Sequence, residues 1–342
     1  MRIFFAICFF VNIFLLSAQN GKNKVFSFLE MPNSSRLTAL GGNMASINDG
    51  DISLVLTNPS LINDSVDKGI AINYTNYFSD INYGFLTYSH TFEKVGSFAG
   101  SLQYLNYGNF TQTDYYGNVL GEFNSYDMAV TIGWGRVLHP GFSIGANVKF
   151  IYSDLNDVSA SGIGVDVAGT YFNDENFFST TLAIRNAGRQ IKTYNGISEP
   201  FPFDMQLAFS KRFEHVPLRF SALIHHLHKW DICYFNPEDI QYDPISGLPI
   251  EERKISVFGD KLMRHIIFGA EFAPSRSLSF RIGYNYQRRK ELTVASRLST
   301  VGLSWGFGFR IKYFYLSYAR SAYHLAGSPN VITITTNIND FL

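Results

Sequence analysis

Leu278-Ser279-Phe280-Arg281-Ile282-Gly283-Tyr284-Asn285-Tyr286-Gln287 and Val301-Gly302-Leu303-Ser304-Trp305-Gly306-Phe307-Gly308-Phe309-Arg310-Ile311-Lys312 are the stretches whose reading decides the fold. Side chains on an extended strand point alternately to its two faces, with period two. Leu278, Phe280, Ile282, Tyr284 and Tyr286 therefore share one face, opposite Ser279, Arg281, Gly283, Asn285 and Gln287. Val301, Leu303, Trp305, Phe307, Phe309 and Ile311 repeat the pattern against Gly302, Ser304, Gly306, Gly308, Arg310 and Lys312. A helical period would scramble both sets.

A soluble sandwich alternates as well, so the composition of the two faces has to discriminate. A soluble core packs Val, Leu and Ile inward and shows Lys and Glu outside. In these stretches the apolar face is crowded with Trp, Phe and Tyr, and the other face is small, polar and sparsely charged. A transmembrane barrel has that distribution, with an apolar, aromatic-girdled exterior and a polar lumen.

The whole chain agrees. Its 342 residues are 16% aromatic and 16% charged, whereas charged residues make up about a quarter of an ordinary soluble protein. The mean hydropathy is near zero, as alternation averages out where spanning helices do not. The formal net charge is zero, which argues against nucleic acid as a partner.

Residues 1–18 read as a signal peptide: Arg2, an apolar run from Ile3 to Leu16, then Ser17-Ala18-Gln19 as the cleavage region. The run contains Asn12 and falls short of the roughly 20 apolar residues of a spanning helix. Its removal takes Cys8 and leaves Cys233 as the single thiol, so an internal disulfide is excluded. No later segment is long and apolar enough to span as a helix. An exported membrane chain of this kind must then be a closed barrel, because open sheet edges are not tolerated in lipid.

Residues 19–67 differ in texture. Ala39-Leu40-Gly41-Gly42, Asn48-Asp49-Gly50-Asp51 and Asn58-Pro59-Ser60 are turn and cap signals between short apolar pieces. Phe26, Phe28, Leu29, Leu37, Leu40, Leu54 and Leu56 need burial, and a hatch inside the barrel provides it. Gly41, Gly42, Asn58 and Pro59 are the candidate hatch motif. Residues 68–342 then divide into fourteen extended segments, an even number as a bacterial single-chain barrel requires. Connections alternate between brief turns, such as Glu93-Lys94 and His139-Pro140, and longer loops at 108–123, 153–159, 187–201, 229–261, 288–297 and 321–328. This asymmetry is expected of short periplasmic turns and long outer loops, with both termini in the periplasm. The expected fold is a fourteen-stranded antiparallel transmembrane β-barrel with an N-terminal hatch.

No catalytic constellation stands out, and a non-enzymatic protein needing no cofactor is expected. Gly162-Ile163-Gly164 resembles the start of a dinucleotide loop, yet it sits within an alternating strand. Its glycines are expected to make room for neighbouring side chains. His226 and His228 would project from one strand face with His225 beside them, but no carboxylate or thiolate lies at ligand spacing, so lumenal or interfacial histidines are expected in place of a metal site. Arg288-Arg289-Lys290 falls in an outer loop, where guanidinium groups could pair with lipopolysaccharide phosphates. The longest loop, 229–261, holds Trp230, Tyr234, Phe235 and Tyr242. Together with Arg288 and Arg289 these are the candidate partner-docking residues.

Ala39-Leu40-Gly41-Gly42 and Asn58-Pro59-Ser60 ahead of fourteen strands resemble the FadL-type outer-membrane barrels, whose N-terminal hatch plugs the lumen. A closer resemblance is to the PorQ family of the type IX secretion system of Bacteroidota. It rests on Asp80-Ile81-Asn82-Tyr83-Gly84, Asn106-Tyr107-Gly108-Asn109-Phe110, Lys149-Phe150-Ile151-Tyr152-Ser153, Pro202-Phe203-Asp204-Met205-Gln206-Leu207, Asp260-Lys261-Leu262-Met263-Arg264-His265, Gly283-Tyr284-Asn285-Tyr286 and Tyr323-His324-Leu325-Ala326-Gly327. The final Phe341-Leu342 departs from the usual barrel ending. The PorQ resemblance implies a barrel that anchors a surface attachment complex, docking a PorZ-like protein beside PorU and PorV. The FadL-type resemblance alone implies a transporter of hydrophobic molecules.

Overall fold

A computed structural model describes residues 24–233, 254–293, 299–323 and 327–341. The signal-peptide region and Tyr234, Phe235 and Tyr242 lie outside these described residues. Fourteen antiparallel strands close into one barrel, each paired with its neighbours in sequence and β1 with β14. They are β1 (Gly69–Asn76), β2 (Asn82–Phe92), β3 (Gly96–Thr113), β4 (Val119–His139), β5 (Phe142–Leu155), β6 (Val158–Asn173) and β7 (Phe178–Lys192). The second half is β8 (Asp204–Arg212), β9 (Leu218–Ile224), β10 (Ile266–Ser275), β11 (Leu278–Asn285), β12 (Leu303–Ile311), β13 (Phe314–Ser321) and β14 (Asn330–Asn337). Among the described residues no helix is long and apolar enough to cross a membrane.

The alternation read from the sequence maps onto the two surfaces of the wall. Phe280 is 48% exposed, Trp305 50% and Ile282 55%, while Ser279, Arg281 and Ser304 are buried. Phe280 stands opposite Phe307 on the neighbouring strand, so the aromatic face is continuous across the β11–β12 pair. A soluble fold would bury these rings. An exterior of this kind suits acyl chains, as in an outer-membrane barrel.

Four connections differ from the sequence reading. Residues 108–123, expected as a loop, are mostly strand: β3 and β4 continue as a hairpin whose last pair is Thr113 with Val119. β2 and β5 stop alongside Asn106 and Ser125, so this hairpin rises alone beyond the barrel. Its two faces are both wet, which is why no apolar alternation marked it. Its turn is held by Asp114, whose Oδ1 accepts from the backbone N–H groups of Tyr116 (2.9 Å) and Asn118 (2.8 Å). Residues 153–159 shrink to a turn at Asn156-Asp157, with Asn156 in the left-handed region that Asn tolerates. Two helices also cap the long-loop end: α2 (Lys254–Arg264) and α3 (Tyr286–Leu292). Tyr286 thus opens a helix and does not extend β11, because the Asn285 side chain accepts from Arg288 N–H and starts the turn. The helix α1 (Ser35–Ala39) belongs to the N-terminal segment.

That segment, residues 24–68, lies against the inward-facing side chains of the wall. Phe26, Phe28, Leu29, Leu37, Leu40, Leu54 and Leu56 are all buried, as their composition demanded. The wall's inner face is rich in Ser, Thr, Asn and Gln, so much of the apolar core is made by the segment itself: Leu37, Leu40, Met44, Ile47, Leu54, Leu61 and Ile62 cluster with a few apolar wall residues such as Phe85, Leu223 and Ile267.

Candidate functional site

The site is the lumen and whatever the N-terminal segment leaves of it. Two places where the segment touches the wall are made by missing side chains. A β-carbon on Gly145 would stand 2.2 Å from the Pro59 carbonyl oxygen, and one on Gly135 would stand 2.3 Å from the Ile62 carbonyl oxygen. Across the barrel, a β-carbon on Gly283 would meet Gly41 N at 2.2 Å, and one on Gly306 would meet the Ala39 β-carbon at 2.8 Å. Of the glycines noted on the polar face of β11 and β12, Gly283 seats the backbone at Gly41, Gly306 makes room for the Ala39 side chain, and Gly308 makes room for the Tyr315 ring of the wall itself.

Asn58 and Pro59, read as hatch residues, fill the first seat. Asn58 Nδ2 donates to Ala45 O at 2.6 Å and to Thr170 Oγ1 at 3.0 Å, while its Oδ1 accepts from Ser60 N–H at 3.0 Å. One side chain thus caps its own turn and ties the segment to β6. Gly41 and Gly42 occupy the second seat with φ of 104° and 112°, where a side chain is strained. Ser35 fastens α1 to the far wall, its N–H donating to Thr333 Oγ1 at 2.8 Å and its hydroxyl lying 2.6 Å from that of Ser317.

At the end of the barrel with the short turns, charge does the fastening. Arg36 of α1 reaches Asp49 (2.7 Å), Asp51 (2.9 Å) and Glu271 of β10 (2.7 Å). Arg219 of β9 joins Asp49 and Glu271, and Arg281 of β11 donates to Glu271 at 2.7 Å. Burial alone would raise the pKa of Asp49, but Arg36 and Arg219 hold its carboxyl far below the usual carboxylate range. A cavity of about 820 Å³ opens beside this network, lined by Arg36, Glu271, Arg281, Arg310 and Tyr315 among others. Farther round the wall, Lys149 and Asp166 form a second buried pair at 2.7 Å.

The long-loop end is apolar. Val25, Phe26, Phe28 and Leu29 pack with Tyr83, Leu105, Ile151 and Phe201 of the wall and its loop. Phe201 stands edge-on to Phe26, with centroids 5.5 Å apart. Gly162 and Gly164, the false dinucleotide signal, make room for these rings, as a β-carbon on Gly162 would be 2.7 Å from Phe26.

Arg288 and Arg289, expected to face a partner or lipopolysaccharide, are engaged within the barrel. Arg288 donates to Ser321 Oγ at 2.6 Å and to Gly41 O at 3.2 Å, and its guanidinium lies 4.1 Å from the centre of the Tyr323 ring. Arg289 donates to Ser299 O at 2.9 Å. Adjacent residues on a helix point about 100° apart, so the basic triplet does not act as one patch. Trp230 is half exposed and packs on Phe258 and His265.

The histidines also differ from expectation. β9 ends at Ile224, and His226 takes a left-handed φ of 55°, so His226 and His228 share no strand face. His225 Nδ1 lies 2.5 Å from His226 Nδ1. Asp204, the first residue of β8, accepts the His226 N–H at 2.6 Å and supplies the carboxylate that local spacing lacked. Burial, outweighing the pull of Asp204, pushes the imidazole of His225 down to about 4 and that of His226 to about 3, so both are neutral at pH 7.

No protein-family model and no curated protein matches the chain. Solved structures do resemble its fold. The Pseudomonas putida toluene transporter TodX is similar with a TM-score of 0.50 and 13% identity over 89% of this chain and 96% of that one. A TodX monoaromatic hydrocarbon channel mutant gives 0.52 and 12% over 90% and 99%, and the CymD monoaromatic hydrocarbon channel 0.50 and 11% over 92% and 99%. The chain thus shares the closed-barrel fold of these channels.

Proposed function

We propose that this chain is a non-enzymatic outer-membrane barrel that takes up a small hydrophobic molecule, with long loops outside and termini in the periplasm. The observation that carries the reading is the apolar, aromatic cluster at the long-loop end, where Phe26, Phe28, Leu29 and Phe201 meet. A molecule leaving the outer leaflet or the medium would find there a desolvated site with aromatic walls. Passage beyond it requires the N-terminal segment, acting as a hatch, to leave its glycine seats. The hydrocarbon channels that share the fold support this reading.

The test is direct. Protein purified in detergent is extracted for mass spectrometry of bound lipids and titrated with toluene and with a long-chain fatty acid. Uptake of one of these, weakened several-fold by Phe201→Ala or Phe26→Ala, is the expected result. Wild-type protein that neither carries nor binds any apolar molecule sinks the reading.

A second reading, anchoring of a surface attachment complex of the type IX secretion system, draws on a different observation. Trp230, Ile255 and Phe258 are exposed at the loop end, and Tyr115 and Tyr116 stand at the tip of the free hairpin. Aromatic residues presented to solvent are what interfaces use. A PorZ-like protein, with PorU and PorV, would co-purify from detergent-solubilised membranes. Retention of that partner after residues 229–261 are shortened would count against docking through this loop.

A further inference from the structure

Asp204, His225 and His226 bring their ligand atoms within 4.8 Å of one another at the rim between β8 and β9. The two imidazoles face each other through Nδ1 at 2.5 Å, and the His226 Nδ1 lies 3.9 Å from Asp204 Oδ1. His225 is 5% exposed, yet its Nε2 has no hydrogen-bond partner. Each Asp204 oxygen accepts one bond, from His226 N–H and from Gln206 Nε2, and so keeps a free lone pair. His226 has a left-handed backbone with φ of 55°.

We infer that Asp204, His225 and His226 form a binding site for a borderline divalent transition-metal ion of the zinc class. Two imidazole nitrogens and one carboxylate oxygen are the donor set that suits Zn²⁺, Ni²⁺ or Cu²⁺, whereas Mg²⁺ and Ca²⁺ prefer oxygen alone. Zinc sits about 2.0–2.1 Å from imidazole nitrogen, which asks for a nitrogen separation of about 3.3 Å at a tetrahedral centre. The rings therefore open by less than about 1 Å to admit the ion. Three protein donors leave one coordination position free, and the partial exposure of the His226 side chain, 17%, gives the ion a path in. His265 stands behind the pair. Its Nδ1 lies 2.8 Å from His225 O and its Nε2 3.1 Å from Trp230 O, so the chain leaving the site is fixed at both ends. The ion would tie the first residue of β8 to the start of the longest loop.

Untagged full-length protein, stripped with chelator in detergent, is titrated with Co²⁺ alone and then with Zn²⁺. One equivalent of Co²⁺ with visible ligand-field absorption, displaced by Zn²⁺, is expected. His225→Ala and His226→Ala should each weaken binding at least tenfold, and so should the near-isosteric Asp204→Asn, while His215→Ala at the exposed turn changes nothing. Retained heat-modifiable mobility on gels checks that each variant still forms the barrel. Failure of wild-type protein to bind, binding that survives His226→Ala in a folded barrel, or loss of binding with His215→Ala would each overturn the site.

Discussion

Arg36 and Glu271 lie 2.7 Å apart, although 235 residues separate them. One belongs to the segment inside the barrel and the other to its wall, and Arg219 and Arg281 converge on the same carboxylate. Glu271→Gln keeps the shape and leaves three guanidinium groups without their shared counter-charge. Removing one partner of a buried ion pair costs about 3–5 kcal/mol. The expected outcome is a barrel that unfolds at clearly lower temperature, with the inner segment cut by protease first, as followed by electrophoretic mobility after graded heating.

Acid should act on the same fastening through Asp49. Its carboxyl is depressed in the folded protein, so its contribution is fully present above the ordinary carboxylate value of about 4 and is lost as pH falls from there toward the depressed value. Thermal unfolding measured from pH 7 downward should begin to decline near pH 6.5, where burial of the neutral His225 and His226 is lost to protonation, and steepen below about pH 4 as Asp49 is protonated. Asp49→Asn should be weaker at neutral pH and show a smaller acid-dependent loss. An equal loss below about pH 4 in wild type and Asp49→Asn would mean that Arg36 and Arg219 do not hold this carboxyl ionised.

Glycine substitutions separate the two surfaces of the wall. Gly145→Ala drives a methyl group into the Pro59 carbonyl, and Gly283→Ala drives one into the backbone at Gly41. Overpacking of this kind costs about 1–3 kcal/mol. Gly100→Ala meets nothing within 4 Å and should be neutral. Equal stability of all three variants in urea would mean that the segment does not rest on these seats.

Phe280 gives the membrane assignment its sharpest test. Phe280→Arg places a charge on the exterior, at a cost of about 2–4 kcal/mol at mid-bilayer that falls toward either rim. Phe280→Leu should fold into vesicles as wild type does. Arginine tolerated at this position as well as leucine would show that the face does not meet lipid.

The strand pattern was legible because lipid outside and polar groups inside write period two directly into the chain. The burial of Phe26 and Leu37 was legible too, since such residues had nowhere else to go. The free β3–β4 hairpin was not, because water on both faces leaves no alternation to read. Arg288 misled for a geometric reason: three adjacent basic residues look like a patch only until a helix fans them apart. Asp204 was invisible as a partner of His225 because it arrives from the neighbouring strand, and local spacing carries no trace of that. The glycines of β11 and β12 did leave a trace, a run of missing side chains on the inward face, but nothing in it names Gly41 or Ala39 of the distant segment as what fills the gap.

Ser35 touches Thr333 and Ser317, so the part of the polypeptide made early is gripped by β13 and β14, which emerge last. The ring closes where β14 meets β1, immediately after that early part. The strands that seal the seam are thus also strands that hold the N-terminal segment, so closure of the ring and enclosure of its contents share the same residues. A polypeptide stopped before its final two strands loses both at once, with an open edge and a core that nothing encloses.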